Sequence, residues 1–160
     1  SSDLDLSLSE LAKMAARVVA DTLSTHFRIE YLLRETVDFE GHSYQLMARW
    51  DTWDDAAERC AEMNGHIVDI ESAAENDFIW NTFQVPIGTS LYLGASDEDR
   101  EGWWIWPNGA RVRYENWANG EPNHVNNEDQ AEMVHDGTWN DIQWPLDAYL
   151  YYVCEWDSSR

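Results

Sequence analysis

The chain has 160 residues, which is enough for one domain with a modest extension. It contains ten Trp and seven Tyr, a content that indicates either a large aromatic core or rings displayed to a ligand. Its formal net charge of −21 disfavours binding to nucleic acids and to anionic membrane surfaces, and the absence of a long apolar run excludes a membrane-spanning helix.

The first 34 residues differ in pattern from the rest of the chain. Apolar or small residues recur there at alternating spacings of three and four, namely Leu4, Leu8, Leu11, Ala15, Val18 and Thr22. This spacing predicts an amphipathic helix, with Ser9 placed as its cap. The helix either packs on its own domain or forms a neck through which copies of the chain associate. We therefore divide the chain into a helical extension at residues 1–34 and a second domain at residues 35–160.

Two short helices are predicted in the second domain. The first covers residues 52–64, where Thr52 and an acidic residue three positions later come close to a capping box, and Gly65 is a stop signal. The second begins after Ser72, which has the same Ser-x-x-Glu capping pattern, and continues to about residue 83.

Short apolar or alternating segments predict strands, and these occupy residues 42–47, 66–70, 91–95, 131–134, 138–139 and 149–154. A Pro-Asn-Gly turn after Trp106 predicts a hairpin. Trp103, Trp104 and Trp106 alternate in facing, so at least one of them should point outward or lie at a contact. The sum is the α+β class, with two helices and antiparallel strands around one long polar loop.

That loop, residues 115–130, has a length that is usually functional in compact domains. With the segment after Trp139 it supplies five oxygen-bearing side chains, which are Glu121, Asn123, Glu128, Asn140 and Asp141. Carboxylates mixed with amides suit Ca²⁺, which takes about six to eight oxygen ligands. No cluster of Cys or His indicates a competing zinc site. A cis bond before Pro122 would aim the residues on either side of it at one point.

This ordered set of residues resembles the C-type lectin domain over about residues 37–156. The resemblance rests on the helix with Cys60, the helix after Ser72, Leu93-Gly94, Asp97 with Glu101-Gly102 and Trp104, Trp117, Gly120-Glu121-Pro122-Asn123, Glu128-Asp129, Trp139-Asn140-Asp141 and Cys154-Glu155. It implies a C-type lectin-like fold with a long Ca²⁺-binding loop, preceded here by the N-terminal helix.

The resemblance also implies a ligand set. Glu121, Asn123, Glu128, Asn140 and Asp141 would ligate one Ca²⁺, and two vicinal sugar hydroxyls would complete the shell of the metal. All but Asp141 would also hydrogen-bond the sugar, with His124 as a further contact. The order Glu-Pro-Asn implies the mannose, glucose, N-acetylglucosamine and fucose class, whereas Gln-Pro-Asp goes with galactose. A second Ca²⁺ is implied at Asp97, Glu101, Glu128 and Asp129, for which a solvated acidic loop is the alternative.

The two cysteines, Cys60 and Cys154, form either a long-range disulfide in an oxidising compartment or a pair of buried thiols. The resemblance implies the disulfide, and with it a secreted or cell-surface protein in an extracellular or periplasmic setting. The second, short disulfide of the family is missing, because Gln130 and approximately Trp144 stand in its place. Trp144 would then either fill the vacated volume or lie exposed as a platform for a sugar.

The function expected is non-catalytic, Ca²⁺-dependent binding of glycans or glycoproteins, made multivalent by association through the N-terminal helix. A protein-binding or ice-binding module on the same fold is the second hypothesis. An enzyme is the third, because Glu121 and Glu128 could mimic the carboxylate pair of a glycosidase. Carboxylates committed to a metal cannot exchange protons freely, however, and the sequence shows no nucleophile with an adjacent base. We therefore expect no catalysis.

Overall fold

The computed structural model describes residues 7–49, 52–84, 89–143 and 150–157, and it confirms the α+β class. Three helices lie within these residues, α1 (Leu8–Leu32), α2 (Trp53–Glu62) and α3 (Ala73–Thr82). Seven strands accompany them, β1 (Val37–Phe39), β2 (His42–Arg49), β3 (His66–Ile67), β4 (Leu91–Ser96), β5 (Gln130–Met133), β6 (Trp139–Ile142) and β7 (Leu150–Trp156). Leu4 and Trp144, which the sequence singled out, lie outside the described residues.

The strands form one sheet in the order β1-β2-β7-β4-β5-β6, with β3 paired beside β7. The expected antiparallel pairing holds for every neighbouring pair except one, because β4 runs parallel to β7. These two strands are far apart in sequence, so no tight hairpin imposes an antiparallel arrangement on them. Three strands therefore pair with β7, and residues from distant parts of the chain meet along it.

The N-terminal helix is capped by Ser7, and the expectation of a cap at Ser9 is wrong. The Ser7 hydroxyl accepts the N–H of Glu10 at 3.2 Å, and the Glu10 carboxylate accepts the N–H of Ser7 at 2.9 Å. This reciprocal pair is a capping box, which requires an acid or amide three residues after the cap. Ser9 is followed at that spacing by Ala12, which has no side-chain acceptor to return.

The two ends of α1 differ in their contacts. At the C-terminal end Leu32 is buried, and the Arg28 guanidinium donates to the carbonyls of Thr82 at 3.3 Å and Gln84 at 2.7 Å. The apolar residues of the first turns are exposed, and they include Leu8, Leu11, Met14 and Val18. Among the described residues no helix, α1 included, is long and apolar enough to cross a bilayer.

The sequence located α2 correctly, but Gly65 does not end the helix in the way that was expected. Thr52 and Asp55 form the capping box at its start. At its end the left-handed residue is Asn64, with φ 62°, rather than Gly65. Gly65 is needed for a close approach, because a Cβ atom there would lie 2.7 Å from the Glu155 carbonyl oxygen on β7. The glycine therefore allows the end of α2 to pack directly on the sheet.

Ser72 caps α3 as expected, although only half of the predicted capping box forms. The Ser72 hydroxyl accepts the N–H of Glu75 at 3.1 Å. The Glu75 carboxylate instead accepts the N–H of Glu71 at 2.8 Å and the Tyr44 hydroxyl at 2.7 Å. Burial raises the pKa of this carboxyl group. The start of α3 is thereby tied to β2.

The hairpin after Trp106 forms, but its arms pair only through isolated bridges. The N–H of Val112 donates to the carbonyl of Trp104 at 3.0 Å. Trp104 and Trp106 are buried, while Trp103 is 39% exposed and faces Arg111, whose guanidinium carbon lies 4.0 Å from the ring centroid. The expectation that at least one of the three indoles points outward or lies at a contact is confirmed.

A disulfide joins Cys60 on α2 to Cys154 on β7, as the resemblance implied. Both cysteines are fully buried within the core between the helices and the sheet. A covalent link across about 94 residues restricts the unfolded chain and typically contributes about 2–4 kcal/mol.

Gly94 on β4 gives a test of how tightly the core is packed. A Cβ atom at this position would lie 2.8 Å from the Ile67 carbonyl oxygen and 2.9 Å from the Pro107 ring, so Gly94→Ala should lower the free energy of unfolding by about 1–3 kcal/mol. Urea denaturation measures the change. Glu98→Ala is the control, because the Glu98 side chain is exposed just beyond the end of β4. Equal losses in the two variants would contradict the packing described here.

Candidate functional site

The polar loop is held against the first residue of β6. The N–H of Trp139 donates to the carbonyl of Asn116 at 2.9 Å, and the N–H of Ala118 donates to the carbonyl of Trp139 at 2.8 Å. The indole of Trp139 is fully buried and donates to the side-chain oxygen of Asn76 on α3 at 2.8 Å. The two stretches that carry the predicted oxygen ligands therefore meet where β6 begins.

Aromatic rings surround Trp139 and fix its position. The centroids of Trp117, Tyr114 and Trp106 lie 5.6, 5.8 and 6.0 Å from it, all in edge-to-face geometry. Such pairs contribute about 0.5–1.5 kcal/mol each beyond the burial of their area. The residues that follow Trp139 thus extend from a rigid base beneath the loop.

Asp141 connects β6 to the loop through its side chain. Its carboxylate is fully buried and accepts the N–H groups of Asn123 at 3.1 Å and His124 at 2.8 Å. Burial raises the pKa of Asp141, but the neighbouring Glu121 carboxyl group and these two amide hydrogen bonds outweigh burial, and the pKa is lowered overall. The Asp141 carboxylate in turn raises the pKa of Glu121. Two carboxyl groups therefore share a small volume, where one negative charge favours protonation of the other.

Glu121 and Asn123 flank a cis peptide bond at Pro122, the geometry that the sequence suggested. The Asn123 amide nitrogen donates to the Glu121 carboxylate at 2.9 Å. Its amide oxygen accepts the N–H of Val125 at 2.9 Å. The two side chains thus present a hydrogen-bond donor and an acceptor next to each other at the surface of the loop.

Asn140 is positioned by a residue that the sequence analysis missed. Its amide nitrogen donates at 3.2 Å to the carboxylate of Glu132, the residue directly opposite on β5. The Ser90 hydroxyl also donates to Glu132, and burial raises the pKa of that carboxyl group. Because Glu132 takes a donor hydrogen, the amide oxygen of Asn140 remains available to a ligand. Only the register of β5 with β6 reveals this role.

Glu128 completes the set near the end of the loop. Burial, followed by the charge of Asp141, raises the pKa of Glu128. One carboxylate oxygen each of Glu121, Glu128 and Asp97 is buried without a hydrogen-bond partner among the described residues. An unpartnered buried carboxylate oxygen is costly. Two of these atoms belong to the five-residue set and the third to the second predicted group, and unpartnered oxygens of this kind fit bound cations.

The second predicted group forms around the end of β4. Asp97 is buried and accepts the N–H of Gly102 at 2.8 Å, and its own N–H donates to the Asp129 carbonyl at 3.1 Å. Burial, together with the charges of Glu101 and Asp129, raises the pKa of Asp97 to about 6. The pKa of Asp129 is also raised, first by burial and then by Glu101. These acids therefore lie close enough to repel one another.

His124 lies between the two groups, with φ 57°. Its Nδ1 atom contacts the Glu101 carboxylate and lies 3.9 Å from both Asp97 and Asp141. The sequence predicted only a contact between His124 and a bound sugar. In the structure its ring faces the acids of the second group, where an imidazole can offset negative charge or act as a ligand.

Comparison with known proteins places these features in a family context. A sequence model described as the lectin C-type domain matches residues 50–156. The human protein named C-type lectin domain family 17, member A, is 35% identical over 92% of this chain. An α-N-acetylgalactosamine-specific lectin from Patiria pectinifera is 31% identical over 76% of it. The chain spans only 40% of the human protein but 78% of the Patiria lectin.

Solved structures show the same fold. The carbohydrate-recognition domain of cow CD23, determined with a GlcNAc2Man3 oligosaccharide, has a TM-score of 0.68 and 27% identity, covering 79% of this chain and 96% of that one. The EPNH mutant of the lectin CEL-I has a TM-score of 0.68 and 30% identity, covering 76% and 94%. Its four-letter designation reads the same as residues 121–124 here. A calcium-independent type II antifreeze protein, with 23% identity and a TM-score of 0.68 over 79% of this chain and 94% of its own, shares the fold alone.

Asp141→Ala tests the connection between β6 and the loop. Each hydrogen bond to a charged group contributes about 1.5–3 kcal/mol, so losing both amide bonds should lower the free energy of unfolding by more than about 1.5 kcal/mol. The amides of Asn123 and His124 should also exchange faster with solvent deuterium, which NMR measures residue by residue. Asp99→Ala is the control, because Asp99 is exposed on a turn. Unchanged exchange at both amides would show that Asp141 does not hold the loop.

Proposed function

Because the chain belongs to the C-type lectin domain family, we propose that it binds carbohydrate through a Ca²⁺ ion and performs no catalysis. The observation that carries this proposal is the convergence of the loop and β6 on a group of carboxylate and amide oxygens. Three nearby carboxylate oxygens are buried and lack a hydrogen-bond partner among the described residues. A hard divalent cation would satisfy them, and their oxygen chemistry favours Ca²⁺ over zinc.

The residues that would hold Ca²⁺ are the five of the predicted set, Glu121, Asn123, Glu128, Asn140 and Asp141. Asp141 also accepts two amide N–H groups of the loop, so the same carboxylate fixes the turn at Pro122. Glu132 fixes Asn140 in the same way from the neighbouring strand. Prior fixing of side chains lowers the entropy lost on binding, which favours affinity.

When bound, Ca²⁺ would offer coordination positions to two vicinal hydroxyl groups of a sugar. The carboxylates of Glu121 and Glu128 would accept hydrogen bonds from those hydroxyls, and the amides of Asn123 and Asn140 would donate to them. The Asn140 NH2 group carries two hydrogens, so its bond to Glu132 leaves one for a sugar. Charge-assisted hydrogen bonds are about twice as strong as neutral ones, which suits an exposed site for a hydrated ligand.

We assign the sugar to the mannose, glucose, N-acetylglucosamine and fucose class. The acid precedes Pro122 and the amide follows it, so the acceptor and the donor lie in the order that the family uses for equatorial vicinal hydroxyls. Reversing the acid and the amide would exchange acceptor and donor, which is the arrangement that goes with galactose. The four residues shared with the EPNH mutant of CEL-I are consistent with this assignment but name no sugar.

A second Ca²⁺ would bind at Asp97, Glu101, Glu128 and Asp129. The raised pKa of Asp97, about 6, reflects burial together with the neighbouring negative charges that a cation would offset. His124 would contact either this group or the sugar, since its ring lies beside Glu101.

We further propose that residues 1–34 form a neck for a homo-oligomer and that residues 35–160 form the recognition domain. The exposed stripe of α1 is the surface that would associate. Several weak sites on one particle raise the overall avidity without new contacts. The partners would be glycans or glycoproteins at a secreted or cell-surface location, extracellular or periplasmic, as the Cys60–Cys154 disulfide favours.

A protein-binding or ice-binding module is the alternative on this fold. The antifreeze protein supports that alternative only through the shared architecture, because its identity is 23%. The full set of ligand oxygens favours carbohydrate. A glycan array with and without EDTA separates the two, since only the lectin would bind sugars in a metal-dependent manner.

Retention on a mannose column tests the central proposal. In millimolar CaCl2 the chain should be retained, should elute with EDTA or free mannose, and should pass through a galactose column. EDTA should also lower its melting temperature, because Ca²⁺ stabilises only the folded state. Glu121→Gln should abolish retention, whereas Glu115→Gln, at an exposed position of the same loop, should not. Retention that persists in EDTA would overturn Ca²⁺ dependence.

Light scattering tests the neck. The chain should be oligomeric at micromolar concentration, and Leu11→Asp or Val18→Asp should make it monomeric, because each places a charge in the exposed stripe. Lys13→Asp, on the opposite side of α1, should leave the mass unchanged. A monomeric parent chain would rule out this use of the helix.

A further inference from the structure

Two histidines and two carboxylates from three adjacent strands meet outside the site described above. β7 lies between β2 and β3, and its residue Glu155 is paired with Tyr44 on one side and His66 on the other. His42 starts β2, and Asp157 follows directly after β7. Residues two positions apart on a strand face the same side, so Asp157 shares a face with Glu155. Strand register thus places four possible metal ligands together.

The distances among these side chains are those of a metal-binding group. The His42 Nδ1 atom lies 2.6 Å from Oε1 of Glu155 and 3.6 Å from Oδ1 of Asp157. The His66 Nε2 atom lies 3.0 Å from the same oxygen of Asp157. In a tetrahedral site with bonds of about 2.0–2.1 Å, ligand atoms are about 3.3 Å apart. The observed separations lie on both sides of that value. The ligand atoms that lie within 4.8 Å of one another form two groups that share Glu155, one with His42 and Asp157 and the other with His66 and Asp69, so binding both histidines to one ion requires side-chain rotation.

The hydrogen bond of His66 fixes which of its nitrogen atoms is available. Its Nδ1 atom lies 2.9 Å from the Ile67 carbonyl oxygen, which can only accept a hydrogen bond. Nδ1 therefore carries a proton. Nε2 faces the Asp157 carboxylate at 3.0 Å and donates to it while the ring is protonated, so Nε2 is the atom that becomes a metal ligand once it loses that proton. Histidine ligands of metal sites are commonly oriented by such a bond from the other ring nitrogen to a backbone carbonyl.

Glu155 anchors the group from inside the protein. Its side chain is fully buried, and one of its oxygens accepts the N–H of Asp69 at 3.1 Å, which leaves the other oxygen facing His42. His42 and Asp157 are partly exposed, which gives an ion a path from solvent.

We propose that His42, His66, Glu155 and Asp157 bind a first-row divalent transition metal ion of the zinc class. Imidazole nitrogens mixed with carboxylate oxygens favour such an ion over Ca²⁺, which prefers oxygen ligands alone. The ion would link the start of β2, the start of β3 and the residue after β7. It would therefore stabilise the sheet, and it does not depend on the proposed sugar site.

Calorimetric titration with ZnCl2, on protein kept in excess CaCl2 to occupy carboxylate sites, tests this proposal. One Zn²⁺ per chain should bind, and the melting temperature should rise with Zn²⁺ concentration. Substitution by Co²⁺ should give the visible absorption spectrum of tetrahedral coordination. His66→Gln and Asp157→Asn should each weaken binding by about 10-fold to 100-fold or more.

Two variants serve as controls. His135→Gln removes an exposed histidine elsewhere, and Glu128→Gln alters the Ca²⁺ group; neither should change Zn²⁺ affinity. Asp157 is exposed enough that its variant should fold normally, which circular dichroism without metal will verify. The proposal is overturned if Zn²⁺ does not bind in calcium, or if it binds with unchanged affinity to both His66→Gln and Asp157→Asn.

Discussion

The arrangement of the candidate site depends on one buried carboxylate. Asp141 accepts the N–H groups of Asn123 and His124, so hydrogen bonds join β6 to a part of the loop almost twenty residues earlier in the chain. The carboxylate itself is fixed because it follows Trp139, which is fully buried among aromatic rings and bonded to α3. Packing in the core thereby fixes the position of polar groups at the surface of the loop.

Much of this organisation was readable from the sequence because it depends on short-range patterns. A capping box pairs a hydroxyl residue with an acid three positions later, and this pair marks where a helix begins. The start of α2 was predicted correctly because Thr52 and Asp55 form such a pair. The same rule applied two residues earlier in the chain would have identified Ser7, not Ser9, as the cap of α1. The grouping of Glu121, Asn123 and Asp141 could be expected only because they matched an ordered family pattern, not because spacing alone brings them together.

What the sequence did not reveal depends on the pairing of distant strands. Glu132 supports Asn140 because β5 and β6 align these residues, and one step of register would point Glu132 to the other face. Asn76 meets Trp139 across 63 positions of sequence. No zinc site was expected, because His42 and His66 are far apart in sequence. Both lie beside β7, which comes last in the chain and pairs with β2 on one side and β3 on the other. Only this pairing brings the two histidines close to Glu155 and Asp157.

The way α1 joins the rest of the molecule has a consequence for geometry. Residues 33–36 alone separate the helix from β1, and Arg28 donates hydrogen bonds from the last turns of α1 to two carbonyl groups at the end of α3. In an oligomer joined through such helices, the recognition domains would therefore keep a fixed angle to the helix bundle. If the proposed oligomer forms, it would bind best to targets whose epitopes repeat at the spacing of its own sites.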